Sequence, residues 1–212
     1  MSSNFQRRAA RLPAFRLVTG NPSKVEEARR ILGFAPETVD VDLPEIQSLD
    51  LIEVLRAKAE AASRHVEGPF VVEETGLELS CLNGFPGPLI KWMLAAISSE
   101  GVAGLAQRMG DPHATARCAL YFCTHRGDRV DRDGLLFADD VVVEGVCPGQ
   151  LRLPPRGEGG FGWDPVFWPE GLEGSSAELG DEIKDRSGHR GLAWRALVDR
   201  LCPPTAPGAS SH

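Results

Sequence analysis

Apolar positions recur along the chain in two rhythms, one near 3.6 residues and one near 2, and together they mark out helices and strands. Phe15-Arg16-Leu17-Val18 is a short apolar run that reads as a strand, with Thr19-Gly20-Asn21 as the turn after it. Asn21 suits an N-cap, and Pro22 suits the first helical position, where its missing N–H is not needed. The spacing of Val25, Ala28 and Leu32 predicts a helix over 23–32, stopped by Gly33. A second helix is expected after Asp50, with Leu51, Leu55, Ala59, Ala62 and Val66 as its apolar stripe. Phe70-Val71-Val72 predicts a buried strand ending in Glu73-Glu74-Thr75-Gly76. Residues 83–88 form a rigid Gly/Pro loop leading into a helix over 89–97. Segments 114–124 and 134–146 read as two strands with the polar stretch 127–133 turning between them. Residues 164–167 read as short and extended, and 189–201 as a last helix. Helices alternating with strands around a long hairpin predict an α/β (α+β) domain over 14–202. Residues 1–13 are polar and basic, and 203–212 are rich in Pro, Ala, Gly and Ser; both are expected to be disordered tails.

Composition narrows the class. The chain has 212 residues, 42% hydrophobic and 25% charged, which allows one sizeable soluble domain. No apolar run approaches the roughly 18 residues of a membrane span. The basic N-terminus lacks an apolar segment behind it, so it is not read as a secretory signal, and a cytoplasmic location is expected. A net charge of −7 argues against a nucleic-acid polymer as partner but leaves room for a small anion held by local lysines. The five cysteines show no paired spacing and read as reduced, buried thiols.

Four constellations carry candidate chemistry. Residues 19–24 (Thr-Gly-Asn-Pro-Ser-Lys) put backbone N–H groups and a helix N-terminus at the end of a strand, a ready anion site. Lys24 falls where the helix dipole prefers an acid, which suggests a phosphate nearby; the plain alternative is an ordinary turn with a solvated lysine. Glu45 and the pair Glu73-Glu74 are candidate Mg²⁺ carboxylates, since that ion needs only one or two and keeps several waters. Such a metal would polarise phosphorus and acidify an attacking water. The alternative is a set of solvated loop acids. Phe161 and Trp163, in the glycine-rich stretch 159–165, are suited to stacking a planar base, worth about 1–3 kcal/mol, with Asp164 as an acceptor for a base N–H. They equally suit covering a core. Residues 184–190 (Lys-Asp-Arg-Ser-Gly-His-Arg) form a cationic cluster at a helix start, and Lys58 and Lys91 add to the lysines available for phosphate.

Taken in order, these segments resemble the inosine-triphosphate pyrophosphatase (Ham1-like) family from about residue 17 to residue 197. The matching motifs are 19–24, Asp42-Leu43-Pro44-Glu45, Gly84-Phe85-Pro86-Gly87-Pro88 with Lys91-Trp92, 160–165, and His189-Arg190-Gly191. The resemblance implies a homodimer with a central elongated mixed sheet flanked by helices, and a nucleotide cleft between two lobes. It implies Mg²⁺-dependent hydrolysis of ITP, dITP and XTP to the monophosphate and pyrophosphate. By carry-over, Thr19, Gly20, Asn21, Lys24, Lys58, Thr75, Lys91 and Lys184 hold the triphosphate. Phe161, Gly162 and Trp163 hold the base, whose edge is read by Asp164, His189 and Arg190. Glu45 and Glu74 bind metal, and Glu74 is the catalytic base. Two departures stand out: Glu74 replaces the family's Asp, and Gly188 precedes His189 where the family carries Ser. They motivate two further expectations, a related hydrolase with a shifted substrate in a specialised pathway, and a nucleotide-binding protein with impaired catalysis.

Overall fold

The computed structural model describes residues 3–124 and 140–204. Seven strands form one mixed sheet in the order β2-β1-β3-β5-β6-β7, with β4 pairing β3 beyond β1. They are β1 (Arg16–Val18), β2 (Glu37–Val39), β3 (Phe70–Leu79), β4 (Pro86–Gly87), β5 (His113–Cys123), β6 (Val141–Leu151) and β7 (Phe167–Pro169). The helices are α1 (Ser3–Ala9), α2 (Pro22–Leu32), α3 (Leu51–Ser63), α4 (Ile90–Arg108), α5 (Gly180–Ser187) and α6 (His189–Leu201). β1 runs parallel to β2 and β3, and β3, β5, β6 and β7 run antiparallel in turn.

The long strand β3 organises the packing, because alternate side chains point to opposite faces. Val71 lies in a core with Ile31 and Leu32 of α2 and Trp194 and Leu197 of α6. Phe70 and Val72 lie in a second core with Leu51 and Leu55 of α3. At the far end, Leu77 and Leu79 join Val102, Ala103 and Ala106 of α4 and Trp163 in a third. The first two cores thus flank one end of β3 and the third builds the other end. Gly145 is needed at the seam. A Cβ there would lie 2.0 Å from the His189 carbonyl oxygen, so α6 seats directly on β6.

Local signals explain most elements. Asn21 accepts from the Ser23 N–H at 2.9 Å, Pro22 opens α2, and Gly33 closes it at φ 80°. Asp50 accepts from the Ile52 and Glu53 N–H groups at 2.8 and 3.3 Å and opens α3.

Several expectations are corrected. Residues 3–9, expected within a disordered tail, form α1, because Phe5 and Ala9 bury one helical turn apart in the first core. β3 does not end at Glu73; its ladder with β5 continues to Leu79, so the acids sit in mid-strand. β6 begins at Val141 and continues past Pro148 to Leu151, where β7 pairs with it. α4 extends to Arg108, with one break at Ser98 (φ 59°, ψ 175°). Asp164 sits in a turn, and the extended residues begin at Phe167. β2 and α5 were not anticipated. The stretch 127–133 and residues 205–212 lie outside the described residues.

Candidate functional site: a charged cleft at the open edge of β3

β1 ends at Val18, opposite Val72, and β4 first pairs with β3 at Leu77. Between them, among the described residues, no strand pairs with Glu73, Glu74, Thr75 and Gly76 on that side. A cleft of about 770 Å³ opens there, beyond the carboxyl end of a parallel strand, where ligands bind in open α/β sheets. Thr19, Gly20, Asn21, Lys24, Glu45, Lys58, Glu74, Thr75, Lys91, Phe161, Gly162 and Trp163 all line it, so twelve residues from six separated segments of sequence converge.

The phosphate-side geometry follows from the turn after β1. The Thr19 hydroxyl accepts from the Asn21 N–H at 3.1 Å, and Lys24 follows in the first turn of α2. Lys24 Nζ lies 3.4 Å from Glu73. On the other face of β3, Lys58 Nζ, reaching from α3, contacts Glu74 closely and stands 3.4 Å from Glu45. Lys91 Nζ lies 3.7 Å from the second Glu45 oxygen, with its side chain 70% exposed. Glu45 and Glu74 thus converge on one cation, here an ammonium. Burial alone would raise the Glu45 pKa, but the nearby Lys58 and Lys91 outweigh it and lower it. Burial likewise opposes charge on Lys58, and Glu74 and Glu45 overcome it, so its pKa is raised.

The aromatic side has a different construction. Phe161 is 37% exposed at the cleft, with Lys184 Nζ 5.3 Å and the Arg190 guanidinium 5.4 Å from its ring centroid. Asp164 accepts from the Phe161 N–H at 2.8 Å and from Lys184 at 2.7 Å, which closes the loop. Trp163 is buried, with its ring 5.7 Å from that of His189. Behind them Arg190, 4% exposed, donates to Glu73 at 3.0 and 3.1 Å and closely contacts Glu27, which also receives Lys184 at 2.8 Å. Burial would raise the Glu27 pKa, yet Arg190 and Lys184 pull it down to about 2. Burial and the Arg190 charge push His189 down to about 3, so it is neutral at physiological pH.

Asp164, Lys184, His189 and Arg190 therefore do not line the cleft; they form the buried support behind Phe161 and Trp163. Sequence reasoning missed Glu27. Its signal was available: it falls four residues before Ile31, and so on the buried face of α2 beside Ala28, where an unpaired carboxylate would be costly. Ile46, Gln47, Trp92 and Leu94 also line the cleft and were not anticipated as site residues. Among the described residues, no group of three or more His, Cys, Asp or Glu side chains has metal-site geometry, and no helix is long and apolar enough to cross a membrane.

A mixed sheet with an anion loop, paired carboxylates and an aromatic platform at one crevice defines a nucleotide-handling α/β protein. The Ham1 family profile matches residues 15–200, and the chain belongs to this family. It is 35% identical to the inosine triphosphate pyrophosphatase of Schizosaccharomyces pombe, over 90% of this chain and 96% of that protein. It is 37% identical to the dITP/XTP pyrophosphatase of Pyrobaculum aerophilum, over 86% of this chain and 92% of the relative. Among solved structures, a HAM1 protein from Coxiella burnetii superposes with a TM-score of 0.73 at 23% identity, covering 88% of this chain and 98% of that one. A nucleoside-triphosphatase, or dITP/XTP pyrophosphatase, from Mycobacterium abscessus superposes with a TM-score of 0.59 at 30% identity, covering 86% and 97%.

Proposed function

We propose that the chain hydrolyses deaminated purine nucleoside triphosphates (ITP, dITP and XTP) to the monophosphate and pyrophosphate. One observation carries the reading: Lys24, Lys58 and Lys91 converge with Glu45 and Glu74 on a cleft whose other wall is the exposed face of Phe161. The lysines and the N-terminal turn of α2 hold the triphosphate. Phe161 stacks the base, with Trp163 and Gly162 shaping the pocket. Asp164 Oδ2 accepts from both the Phe161 N–H and Lys184, which fixes the loop that presents Phe161. Selection for deaminated bases is read from relatives named inosine triphosphate pyrophosphatase and dITP/XTP pyrophosphatase.

Glu45 and Glu74 fit a hard divalent cation: both are carboxylates, and both already converge on one positive charge. We read that cation as Mg²⁺, whose chemistry when bound is to offset phosphate charge and acidify a water. Glu74 takes the proton from the attacking water, and Lys58, freed from Glu74 by the incoming phosphates, steadies the charge developing on them. The resulting pyrophosphate leaves with its charge balanced by Lys24 and Lys91. A homodimer in the cytoplasm belongs to the same proposal; Leu49, Phe85, Trp92 and Ile97 are large apolar side chains left exposed for an interface, which sedimentation equilibrium tests.

The deciding experiment measures pyrophosphate release from ITP, XTP, dITP, GTP, ATP and pyrimidine triphosphates, with and without Mg²⁺. Metal-dependent release confined to ITP, dITP and XTP is expected. Equal turnover of ATP, or silence across the panel, overturns the assignment.

A further inference from the structure

A second cationic assembly lies outside the cleft, at the β6–β7 edge of the sheet. The guanidinium carbons of Arg152 and Arg156 stand 4.7 and 5.4 Å from the ring centroid of Trp168 in β7. Both arginines are exposed, but their backbones are pinned. The Arg152 N–H donates to the Val166 carbonyl at 2.8 Å, the Arg156 N–H to the Pro165 carbonyl at 2.8 Å, and the Arg156 carbonyl accepts from the buried Ser175 hydroxyl at 2.7 Å. The Arg152 side chain donates to the neutral Gln150 amide oxygen at 3.1 Å. Among the described residues, neither guanidinium meets a carboxylate, whereas Arg16, Arg30, Arg64, Arg117 and Arg190 each do.

Two like charges held on one indole repel each other by up to about 1 kcal/mol in water, which the attraction of each to the ring, about 0.5–1 kcal/mol at exposed sites, roughly offsets. A multivalent anion would remove the repulsion. The planar guanidinium forks match phosphate oxygens, and the pinned backbones reduce the freedom lost on binding. A monoanion would leave one arginine uncompensated, while a long polyanion is repelled by a chain of net charge −7.

We propose that Arg152, Arg156 and Trp168 form a binding site for a compact oligophosphate, separate from the cleft. The shared chemistry is two linked phosphoryl groups, present both in free inorganic oligophosphate and in the tail of a nucleotide. The site is independent of which nucleotide the cleft turns over. Arg156 lies five residues before Phe161 in the same loop, so an anion held there bears on the segment that carries the platform.

Isothermal titration of the full-length protein tests it, using inorganic tripolyphosphate in one arm and a non-hydrolysable nucleoside triphosphate in the other. Wild type is expected to show two sites for tripolyphosphate. Arg152→Gln with Arg156→Gln should remove one site while pyrophosphate release is retained, and Lys24→Ala with Lys91→Ala should remove the other. Trp168→Leu, which keeps both charges but loses their platform, should weaken the same site by about tenfold, or 1.4 kcal/mol. It also serves if the double arginine variant fails to fold. Tighter binding of tripolyphosphate identifies the free anion as ligand, and tighter binding of the nucleotide identifies its tail. A single site that neither the arginine pair nor Trp168→Leu alters overturns the proposal.

Discussion

The two walls of the cleft differ in their most exposed groups. On the lysine wall Lys91 and Glu45 are substantially exposed, and their separation of 3.7 Å leaves both free to exchange partners, although Lys58 and Glu74 beside them are largely buried and in close contact. On the aromatic wall, Lys184, Arg190, Glu27 and Glu73 are desolvated and locked to one another. Exposed pairs contribute little to stability and rearrange readily. Buried ones cost much to break, because each leaves an uncompensated charge behind. Under the proposed function, the contrast gives adaptability to the end that takes up and releases phosphate and rigidity to the end that faces the base.

The comparison is broken most severely at Arg190. Arg190→Ala leaves Glu27 and Glu73 buried without their shared cation and is expected to cost about 3–5 kcal/mol, read by urea denaturation. A loss below 1 kcal/mol would mean the aromatic wall is not the rigid one. Glu74→Gln comes next: turnover should fall by about 10²–10⁴-fold while nucleotide affinity, measured by titration, is largely kept. Near-normal turnover would remove Glu74 from the role of base. Restoring the family residue with Glu74→Asp sharpens the same point, since a gain in rate marks Glu74 as a weakened substitute and a loss marks a site rebuilt around it.

A pH titration of stability probes the rigid wall without mutation. His189 is held neutral at a pKa of about 3, below the value of roughly 6.5 for an unfolded histidine. The unfolded chain therefore binds the extra proton first. The stability from keeping His189 neutral is full above about pH 6.5 and falls by about 1.4 kcal/mol per pH unit as the pH drops toward 3. Glu27, depressed to about 2, adds loss in the same direction below about pH 4.5. Denaturation midpoints between pH 4 and 6.5 should show this slope, and His189→Gln should flatten it. The smallest effect is expected at Lys91→Ala: KM for nucleotide rises by severalfold with thermal stability unchanged, because the exposed ammonium is screened and holds little of the fold together.

Legibility in the sequence divides along the same line. The turn 19–24, the N-caps Asn21 and Asp50 and the stop at Gly33 are local signals, and they placed both ends of α2 and the start of α3 to within a residue, while Val66, expected in the α3 stripe, lies past the helix end at Ser63. The convergence of Lys58, Lys91 and Glu45 with Glu74 was reachable only through the ordered motifs of a family, since no spacing along the chain brings them together. What stayed hidden depends on tertiary partners. Glu73 and Glu74 interrupt an apolar run and read as a strand's end, yet Arg190, Lys24 and Lys58 make it possible to bury them in mid-strand. Phe5 and Ala9 are too few to signal a helix by themselves, and α1 forms only because it has a core to dock on. The run 184–190, part of which became α5, read as a cationic cluster at a helix start, while Asp185 in it is buried against Arg30 at 2.9 Å.

The alternation of β3 has a consequence for how such a protein can change. Glu73 and Glu74 are neighbours in sequence but are wired to different helices on opposite sides of the sheet. A substitution that retunes the α3 side can therefore accumulate without disturbing the α6 side, and the strand acts as an insulator between two selectable traits. A one-residue insertion in the ladder between Phe70 and Glu73 would turn both carboxylates to the opposite faces of the sheet in a single event. Lineages descending from this chain should accept changes that retune one face of the strand at a time and no change in its length.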